Sequence, residues 1–273
     1  MEANANGSKP DVPSAIPESY AVDFTEEDEK LFAELAKEAQ IANLRLERLS
    51  NATLDPLYRK RNETLRARMP MLWPVAFFNH AELEHRLSLP DDMDALSYLR
   101  NVDIKRDDRE PRAYQIDFEF EENPYFSNKT LTKNFKYTGS AKATPPEEVT
   151  PEHLEFSPDL HLEAEAFKID WKDGKSLAKA HPPQVDPEGD FMEQGSFFNL
   201  FEEKEDPAGI FDTIVEQIYP DVMDYYLGKG EFSAHFEEED MEDVTDDEEE
   251  DEEDDEEEID LEAPPKKRRR AGK

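Results

Sequence analysis

The amino-acid sequence predicts an α+β protein that begins with a long helix and ends in an acidic tail. Three observations predict this class. Apolar residues recur at alternating intervals of three and four within residues 23–69, apolar and acidic residues alternate with period two around residue 117, and acids crowd the C-terminal end. We therefore divide the chain into a flexible N-terminus (1–22), a long helix (23–69), an α+β domain (70–236) and a disordered tail (237–273).

The long helix is predicted to begin at Thr25, whose hydroxyl can cap the first turn, and the acids that follow suit the positive end of the helix dipole. The apolar seam has the spacing of a coiled coil. Because Pro56 lacks a backbone donor, we expect a kink or short break there. Two arrangements remain open, a helix folded back at Pro56 and a dimer of paired helices. The residues predicted to dimerise are Phe32, Leu35, Ala39, Ala42, Leu46 and Leu49.

The α+β domain is predicted from its prolines and its change of periodicity. Pro74 and Pro90 are expected to break short helices, and Asp91 or Asp92 to cap a helix that runs through Leu99. A polar, proline-rich stretch predicts a loop over 180–190. Apolar stretches over 195–203 and 209–227 predict helices that pack on a sheet. The strands of that sheet are predicted over 114–121, 131–137 and 165–171.

The formal net charge of -37 is spread over both the domain and the tail. Residues 237–262 contain 21 acids in 26 positions, and the last eleven residues carry six bases and no acid, which leaves 48 acids against 26 bases in residues 1–236. A run of like charges cannot bury enough apolar surface to offset its chain entropy, so the tail is predicted to be disordered. We expect a polycationic partner and a salt-dependent affinity.

The composition argues against several other classes. The chain has no cysteine, which removes disulfides, thiolate catalysis and Cys-ligated zinc. The spacing of His80 and His85 differs from that of a helical zinc site, and no Ser-His pair or Gly-rich phosphate loop stands out. The sequence also lacks a long apolar run or a secretory leader. We expect an intracellular protein that is not an enzyme, needs no cofactor and binds no membrane.

Four blocks of the sequence occur in the order found in a known family: "YRKRNETLRARMPMLWPVAFFNH", "ENPYFSNKTLTKNFKY", "FKIDWKDGKSLAK" and "SFFNLF". They resemble the nucleosome assembly protein family, in its SET branch. The resemblance implies an obligate dimer through the long helix, with an α+β "earmuff" domain of antiparallel sheet and helices on each arm. It also implies ATP-independent chaperoning of core histones, the H3-H4 pair and the 2A-2B pair, which promotes nucleosome assembly. The basic terminus after the acidic tail departs from the family pattern.

Acids on two strands and in the tail are the candidates for histone binding. Exposed ion pairs contribute only about 0 to 1 kcal/mol each, so many must act together. The alternative for the strand acids is a merely solvated sheet face. Tyr125 and Phe126 could add specificity, although Phe126 suits a core, and the basic island over 58–68 could contact DNA or pair with nearby acids. The candidate acids are Asp117, Glu119, Glu121, Glu122, Asp170, Asp173, Glu248, Glu249, Glu250 and Asp251.

A basic cluster closes the chain after a Pro-Pro break, as in a nuclear localisation signal. This predicts a nuclear protein that could shuttle to the cytoplasm, and we expect no sequence-specific binding of nucleic acid. Two alternatives are a compositional accident without a role and a basic end that folds back and screens the acids of residues 246–258. Two other functions remain open: a regulator of phosphatase 2A or of a histone acetyltransferase, which the SET resemblance implies, and a generic buffer for basic proteins. The cluster consists of Lys266, Lys267, Arg268, Arg269 and Arg270.

Overall fold

The computed structural model describes residues 25–185, 191–193, 195–204, 206 and 208–232. The chain divides into two units after residue 235, and the described residues all belong to the first unit. The predicted flexible N-terminus and acidic tail lie outside the described residues, as does part of the predicted loop, residues 186–190. No helix in the described ranges is long and apolar enough to cross a membrane.

Helix α1 spans Glu26–Arg66 and has the predicted cap at Thr25. Thr25 Oγ1 accepts from the Asp28 backbone N–H at 3.2 Å, and Asp28 Oδ2 accepts from the Thr25 N–H at 3.0 Å, which together form a capping box. Acids in the first turn add a favourable interaction with the helix dipole. The 41 residues extend over about 62 Å, since each adds about 1.5 Å.

Helix α1 continues through Pro56, so the short break expected there is wrong, while the kink that was the other expectation stays a prediction. Pro56 has no backbone N–H, so the carbonyl of Ala52, one turn earlier, loses one hydrogen bond. Ala52 is exposed to water, which can bind that carbonyl instead. Tertiary contacts hold the helix on both sides of this position. Asp55 forms an ion pair with Arg106 at 3.1 Å, and Asn62 Nδ2 donates to the Val102 carbonyl at 3.1 Å. These contacts explain why one weakened turn does not interrupt the helix.

The main sheet is antiparallel, with strand order β1-β2-β3-β4. Its register places Asp103 opposite Asp117 and Ile104 opposite Ile116 across β1 and β2. The predictions of β2 and β3 are confirmed. The strands are β1 Leu99–Arg106, β2 Tyr114–Phe120, β3 Thr130–Tyr137 and β4 Leu162–Glu165, with a separate two-stranded sheet of β5 Gln184–Val185 and β6 Phe191–Glu193.

Two other predictions for the sheet are wrong. The helix expected to run through Leu99 ends at Leu96, and β1 begins at Leu99. The strand expected over 165–171 is displaced, because β4 ends at Glu165. The backbone beyond it pairs elsewhere: the Phe167 N–H donates to the Phe201 carbonyl at 2.7 Å, and Trp171 forms one isolated bridge.

Short helices fill the space around the sheet. Pro74 lies inside the first turn of α2 and does not break it, whereas Pro90 starts α4. Neither Asp91 nor Asp92 caps α4 as predicted, because the helix begins at Pro90 and both lie within its first turn. The Asp92 carboxylate instead accepts from Ser196 Oγ at 2.6 Å and the Phe197 N–H at 2.7 Å. The helices after α1 are α2 Leu72–Asn79, α3 Ala81–Arg86, α4 Pro90–Leu96, α5 Pro151–Leu154, α6 Pro158–His161, α7 Leu177–Ala180, α8 Asn199–Glu202, α9 Ile210–Thr213, a π-helical turn Ile214–Ile218 and α10 Val222–Tyr226.

An aromatic core lies between one face of the sheet and these helices. Phe118 of β2 is fully buried and meets Phe201 of α8 edge-on, with ring centroids 5.1 Å apart. Trp73 of α2 stacks on Tyr219 at 5.9 Å. Such ring pairs contribute about 0.5–1.5 kcal/mol beyond the area that they bury. The predicted packing of the C-terminal helices on the sheet is therefore confirmed.

Lys133 of β3 is fully buried on the core side of the sheet. Its ammonium donates to the backbone carbonyls of Leu200 at 2.9 Å and Lys204 at 3.1 Å, and also to that of Glu203, at the C-terminal end of α8. Burial lowers the pKa of Lys133 to about 8, although Asp206 and Glu203 oppose the shift. Lys133 thus fastens α8 to β3.

We predict that Lys133 makes stability depend on alkaline pH. Its folded pKa lies below the ordinary value of 10.5, so the unfolded chain binds more protons between pH 8 and 10.5. The free energy of unfolding of the wild type, measured by urea denaturation, should therefore rise relative to Lys133→Met across this window, by at most about 1.4 kcal/mol per pH unit. Parallel pH profiles for the two proteins would contradict this role.

Candidate functional site

The predicted dimerisation seam is exposed along its whole length in the single chain. Leu35 is 51% exposed and Leu46 is 66% exposed, and the other four seam residues are also exposed. Leu57, the residue directly after Pro56, lies on the same stripe and is 56% exposed. The seam predicted from the sequence ends at Leu49, because a kink or break was expected at Pro56. A long apolar stripe on the surface is typical of an interaction face.

The opposite side of α1 is covered by its own domain. The residues between β3 and α6, here called the strap (139–156), run along this side. Arg45 Nε donates to the Glu147 carbonyl at 2.8 Å, Arg48 Nη2 donates to the Thr144 carbonyl at 3.1 Å, and Gln40 Nε2 reaches the Leu154 carbonyl. Successive helical residues are about 100° apart, which places these contacts on the side away from the seam.

Asp117 was predicted to belong to an exposed acidic patch, but this prediction is wrong because the residue is only 7% exposed. Its carboxylate accepts from Lys105 Nζ at 2.7 Å, Gln115 Nε2 at 2.9 Å and Thr132 Oγ1 at 2.6 Å. These donors come from β1, β2 and β3, so Asp117 ties three strands together on the polar face. The alternating pattern identified this face but could not show that neighbouring strands would supply donors to it.

Glu119 and Glu121 remain near the surface, where each pairs with an arginine of the same domain. Glu119 contacts Arg66 of α1 at 2.7 Å, and Glu121 contacts Arg100 of β1 at 3.0 Å. Glu122 is exposed and forms no ion pair with the described residues. The pair of Arg66 with Glu119 is exposed and therefore weak. Arg100, by contrast, is largely buried and also donates to the carbonyls of Pro70 and Ser97.

Asp170 and Asp173 flank Trp171 at an exposed corner. Asp170 is held to the neighbouring loop, since its N–H donates to Asn128 Oδ1 at 2.7 Å. The two loop aromatics lie in the interior: Phe126 is 1% exposed, as favoured above, and Tyr125 is 8% exposed. The prediction that Tyr125 could add a surface contact is therefore wrong.

The Asn-Pro-Tyr-Phe loop has a structural role that explains Tyr125. Asn123 Oδ1 accepts from the Tyr125 N–H at 2.9 Å, and Asn123 Nδ2 donates to the Ala95 carbonyl at 2.9 Å. The Tyr125 hydroxyl donates to Asp94 Oδ2 at 2.9 Å. The loop is thereby fastened to α4 and holds the exposed corner in place.

A group of acids that are distant in sequence lies near the π-helical turn. Glu47 of α1, Asp212 of α9 and Glu216 of the π-helical turn are all exposed. Loss of hydration raises the pKa of Glu216, and the charges of Asp212 and Glu47 raise it further. Loss of hydration also raises the pKa of Glu47. Since about 165 residues separate Glu47 from the other two, no local pattern could have predicted the group.

The basic island of α1 (58–68) pairs with acids of its own domain, which is one of the two roles predicted for it. Arg59 lies 3.6 Å from Asp103, and Arg66 binds Glu119. Arg61 packs over the Tyr58 ring, 4.8 Å from its centroid. Much of the island therefore serves to join α1 to β1 and β2.

The remaining predictions concern metal binding, His80 and the C-terminal tail. In the described ranges, no group of three or more His, Asp or Glu side chains is arranged to hold a metal ion. His80 is buried, with its Nε2 2.9 Å from Gln217 Oε1. The candidate tail acids (248–251) and the basic cluster (266–270) lie outside the described residues.

Comparison with known proteins gives concordant results. Residues 23–263 match a family model described as nucleosome assembly protein (NAP). The chain is 29% identical to Protein SET of Drosophila melanogaster, over 67% of this chain and 64% of that protein. It is 30% identical to Protein SETSIP of Homo sapiens, over 67% of this chain and 58% of that protein. It thus spans less than two thirds of the length of either relative.

A solved structure shares the architecture. The crystal structure of a Ccp1 mutant superposes with a TM-score of 0.55 at 22% identity and covers 74% of this chain and 95% of that chain. A likeness at this identity shows the fold, a long helix followed by an antiparallel sheet packed with helices. The predicted α+β class is confirmed.

We predict that Asp117→Asn lowers the free energy of unfolding by about 1–3 kcal/mol, because a neutral amide cannot accept from all of the donors that surround Asp117. Urea denaturation measures this change. Glu122→Gln, at an exposed site in the adjoining loop, serves as the control and should change stability by less than about 0.5 kcal/mol. Equal effects of the two substitutions would mean that Asp117 is not a structural acceptor.

Proposed function

This chain belongs to the nucleosome assembly protein family, and on that premise we propose that it is an ATP-independent histone chaperone that promotes nucleosome assembly. The resemblance expected from the four sequence blocks is thereby confirmed, and the family is not one of enzymes. The observation that carries the proposal is that the family match extends over the folded domain and most of the acidic tail, residues 23–263.

We propose that two chains pair through the exposed seam of α1. The strap and the sheet occupy one face of this helix, and Leu35, Leu46 and Leu57 are exposed on the other face, where a second copy can pack. Apolar side chains at intervals of three and four fit the knobs-into-holes packing of paired helices. Folding back at Pro56, the other arrangement considered, does not fit a helix that continues to Arg66.

For the histone-binding surface we propose the exposed acids of the body together with the tail. Glu121, Glu122, Asp170 and Asp173 remain candidates, and the Glu47, Asp212 and Glu216 group is added. The charges of Asp212 and Glu47 raise the pKa of Glu216 in the free protein, and a bound Lys or Arg side chain would relieve that repulsion. Core histones, as the H3-H4 pair or the 2A-2B pair, supply such side chains at high density.

Nuclear import through Lys266–Arg270 fits this function, because histones are assembled on DNA in the nucleus. Regulation of a phosphatase or a histone acetyltransferase rests on the SET resemblance alone, and no contact among the described residues favours it. That alternative requires a stable complex with such an enzyme in the absence of histones.

We predict that Leu46→Asp disrupts the dimer, because a carboxylate in an apolar helix pair is buried without a partner. Light scattering should give the wild type a mass twice the chain mass of 31.6 kDa at micromolar concentration. The variant should weaken association at least about 100-fold. Lys30→Glu, exposed on the side of α1 away from the seam, should stay dimeric. A monomeric wild type would contradict the proposed pairing.

We predict that Glu47→Gln, Asp212→Asn and Glu216→Gln together weaken histone binding about 10-fold, from roughly 0.5 kcal/mol per lost ion pair. Fluorescence titration of each core histone pair, with polylysine as an unrelated polycation, measures the effect. Glu155→Gln, Asp159→Asn and Glu231→Gln remove the same charge at other exposed sites. This control should change histone affinity less than about 2-fold. Equal losses for both triple variants would favour a generic acidic buffer.

A further inference from the structure

Every Ser-Pro or Thr-Pro dipeptide in the sequence lies within the strap or directly after it. These are Thr144-Pro145, Thr150-Pro151 and Ser157-Pro158. A hydroxyl residue followed by proline is the minimal sequence that proline-directed protein kinases modify. The backbone from 138 to 145 has neither helix nor strand, which suits the extended conformation that a kinase substrate must adopt. All three dipeptides therefore lie in or beside one surface segment.

Thr144 differs from the others because its hydroxyl meets a buried arginine. Arg48 Nη2 donates to Thr144 Oγ1 at 2.9 Å, and that hydroxyl donates to the Glu148 carbonyl at 2.9 Å. Thr144 is half-buried, and its neighbours Ala143 and Pro145 are exposed. The Thr150 hydroxyl instead lies 3.0 Å from His153 Nδ1.

Arg48 is a buried cation that lacks a counterion in the described part of the chain. It is 3% exposed, forms no ion pair there, and its Nη1 has no hydrogen-bond partner. Among the described residues, the acceptors for Arg48 are the carbonyls of Thr144 and Pro146 and the Thr144 hydroxyl. Burial of a charge without an opposite charge is costly. An anion on Thr144 would supply the missing charge.

The space beside Thr144 can accommodate such a group. A cavity of about 520 Å³ lies between α1 and the strap, and Arg48, Arg59 and Arg106 line it with Thr144. The acids around it are Asp55, which is paired with Arg106 at 3.1 Å, Asp107, which is paired with Arg109 at 2.6 Å, and the exposed Asp108. Asp55 and Asp107 are thus paired with other arginines, and Asp108 forms no ion pair with Arg48.

We propose that Thr144 is a phosphorylation site for a proline-directed serine/threonine kinase, and that the phosphate pairs with Arg48 and locks the strap against α1. The kinase transfers the γ-phosphoryl group of ATP to Thr144 Oγ1. The bond from the γ-phosphorus to the bridging oxygen breaks, the Oγ1–phosphorus bond forms, the hydroxyl proton passes to a base and ADP leaves. A phosphate opposite arginines orders the segment that carries it.

The test uses the full chain in two matched forms. In one, Thr150→Ala and Ser157→Ala leave only Thr144, and in the other, Thr144→Ala and Ser157→Ala leave only Thr150. Both are treated with ATP and a purified cyclin-dependent kinase, and the modified residue is identified by mass spectrometry. Phosphorylation of Thr144 should raise Tm by about 2–4 °C, and that of Thr150 by less than about 1 °C. The gain at Thr144 should vanish in Arg48→Gln, with each protein compared to its own unmodified form.

A second measurement does not depend on the Arg48 variant. Titration of the ³¹P resonance should show the second ionisation of phosphothreonine 144 clearly below its ordinary value of about 6, whereas that of phosphothreonine 150 should stay near it. Failure of the kinase to modify Thr144 while it modifies Thr150 would overturn the proposal. So would equal Tm and ³¹P results for the two forms.

Discussion

The rest of the structure depends on the two-sided packing of α1. One side of this helix carries Arg48, Asp55 and Asn62, which bind the strap and the edge of the sheet. The other side carries an apolar stripe in which Leu35, Leu46 and Leu57 are exposed. A helix of about 62 Å is too long to bury both sides within a domain of this size. Its length and its two faces therefore connect the fold of one chain to the assembly of two.

The polar face of the sheet shows how charge serves stability and function in one molecule. Asp117 is buried and supplied with donors from three strands, while Glu119 and Glu121 are paired with arginines nearer the surface. Acids that look equivalent in sequence thus have different roles. The same holds for Lys133, which is fully buried and satisfied by carbonyls of α8. In a chain of net charge -37, bases near the core act mainly as internal connectors.

Local patterns predicted the features that depend on local physics. The cap at Thr25, the seam of α1 and the strands β2 and β3 follow from side-chain chemistry and periodicity. The wrong predictions share another cause, since tertiary contacts decided them. Contacts on both sides hold α1 through Pro56, a bond to α8 draws residue 167 away from the sheet, and Asp92 binds the loop at 196–197 instead of capping its helix. The acidic group of Glu47, Asp212 and Glu216 exists only in the folded chain.

The central claim is that the seam of α1 joins two copies of this chain, and an inter-chain distance tests it most directly. The chain has no cysteine, so Asn43→Cys, exposed near the middle of the stripe, places one spin label on each copy. Paired helices lie about 8–10 Å apart. Double electron–electron resonance should therefore give a narrow distribution centred below about 30 Å, which disappears on dilution with unlabelled protein. Absence of any inter-chain distance at micromolar concentration would contradict the account.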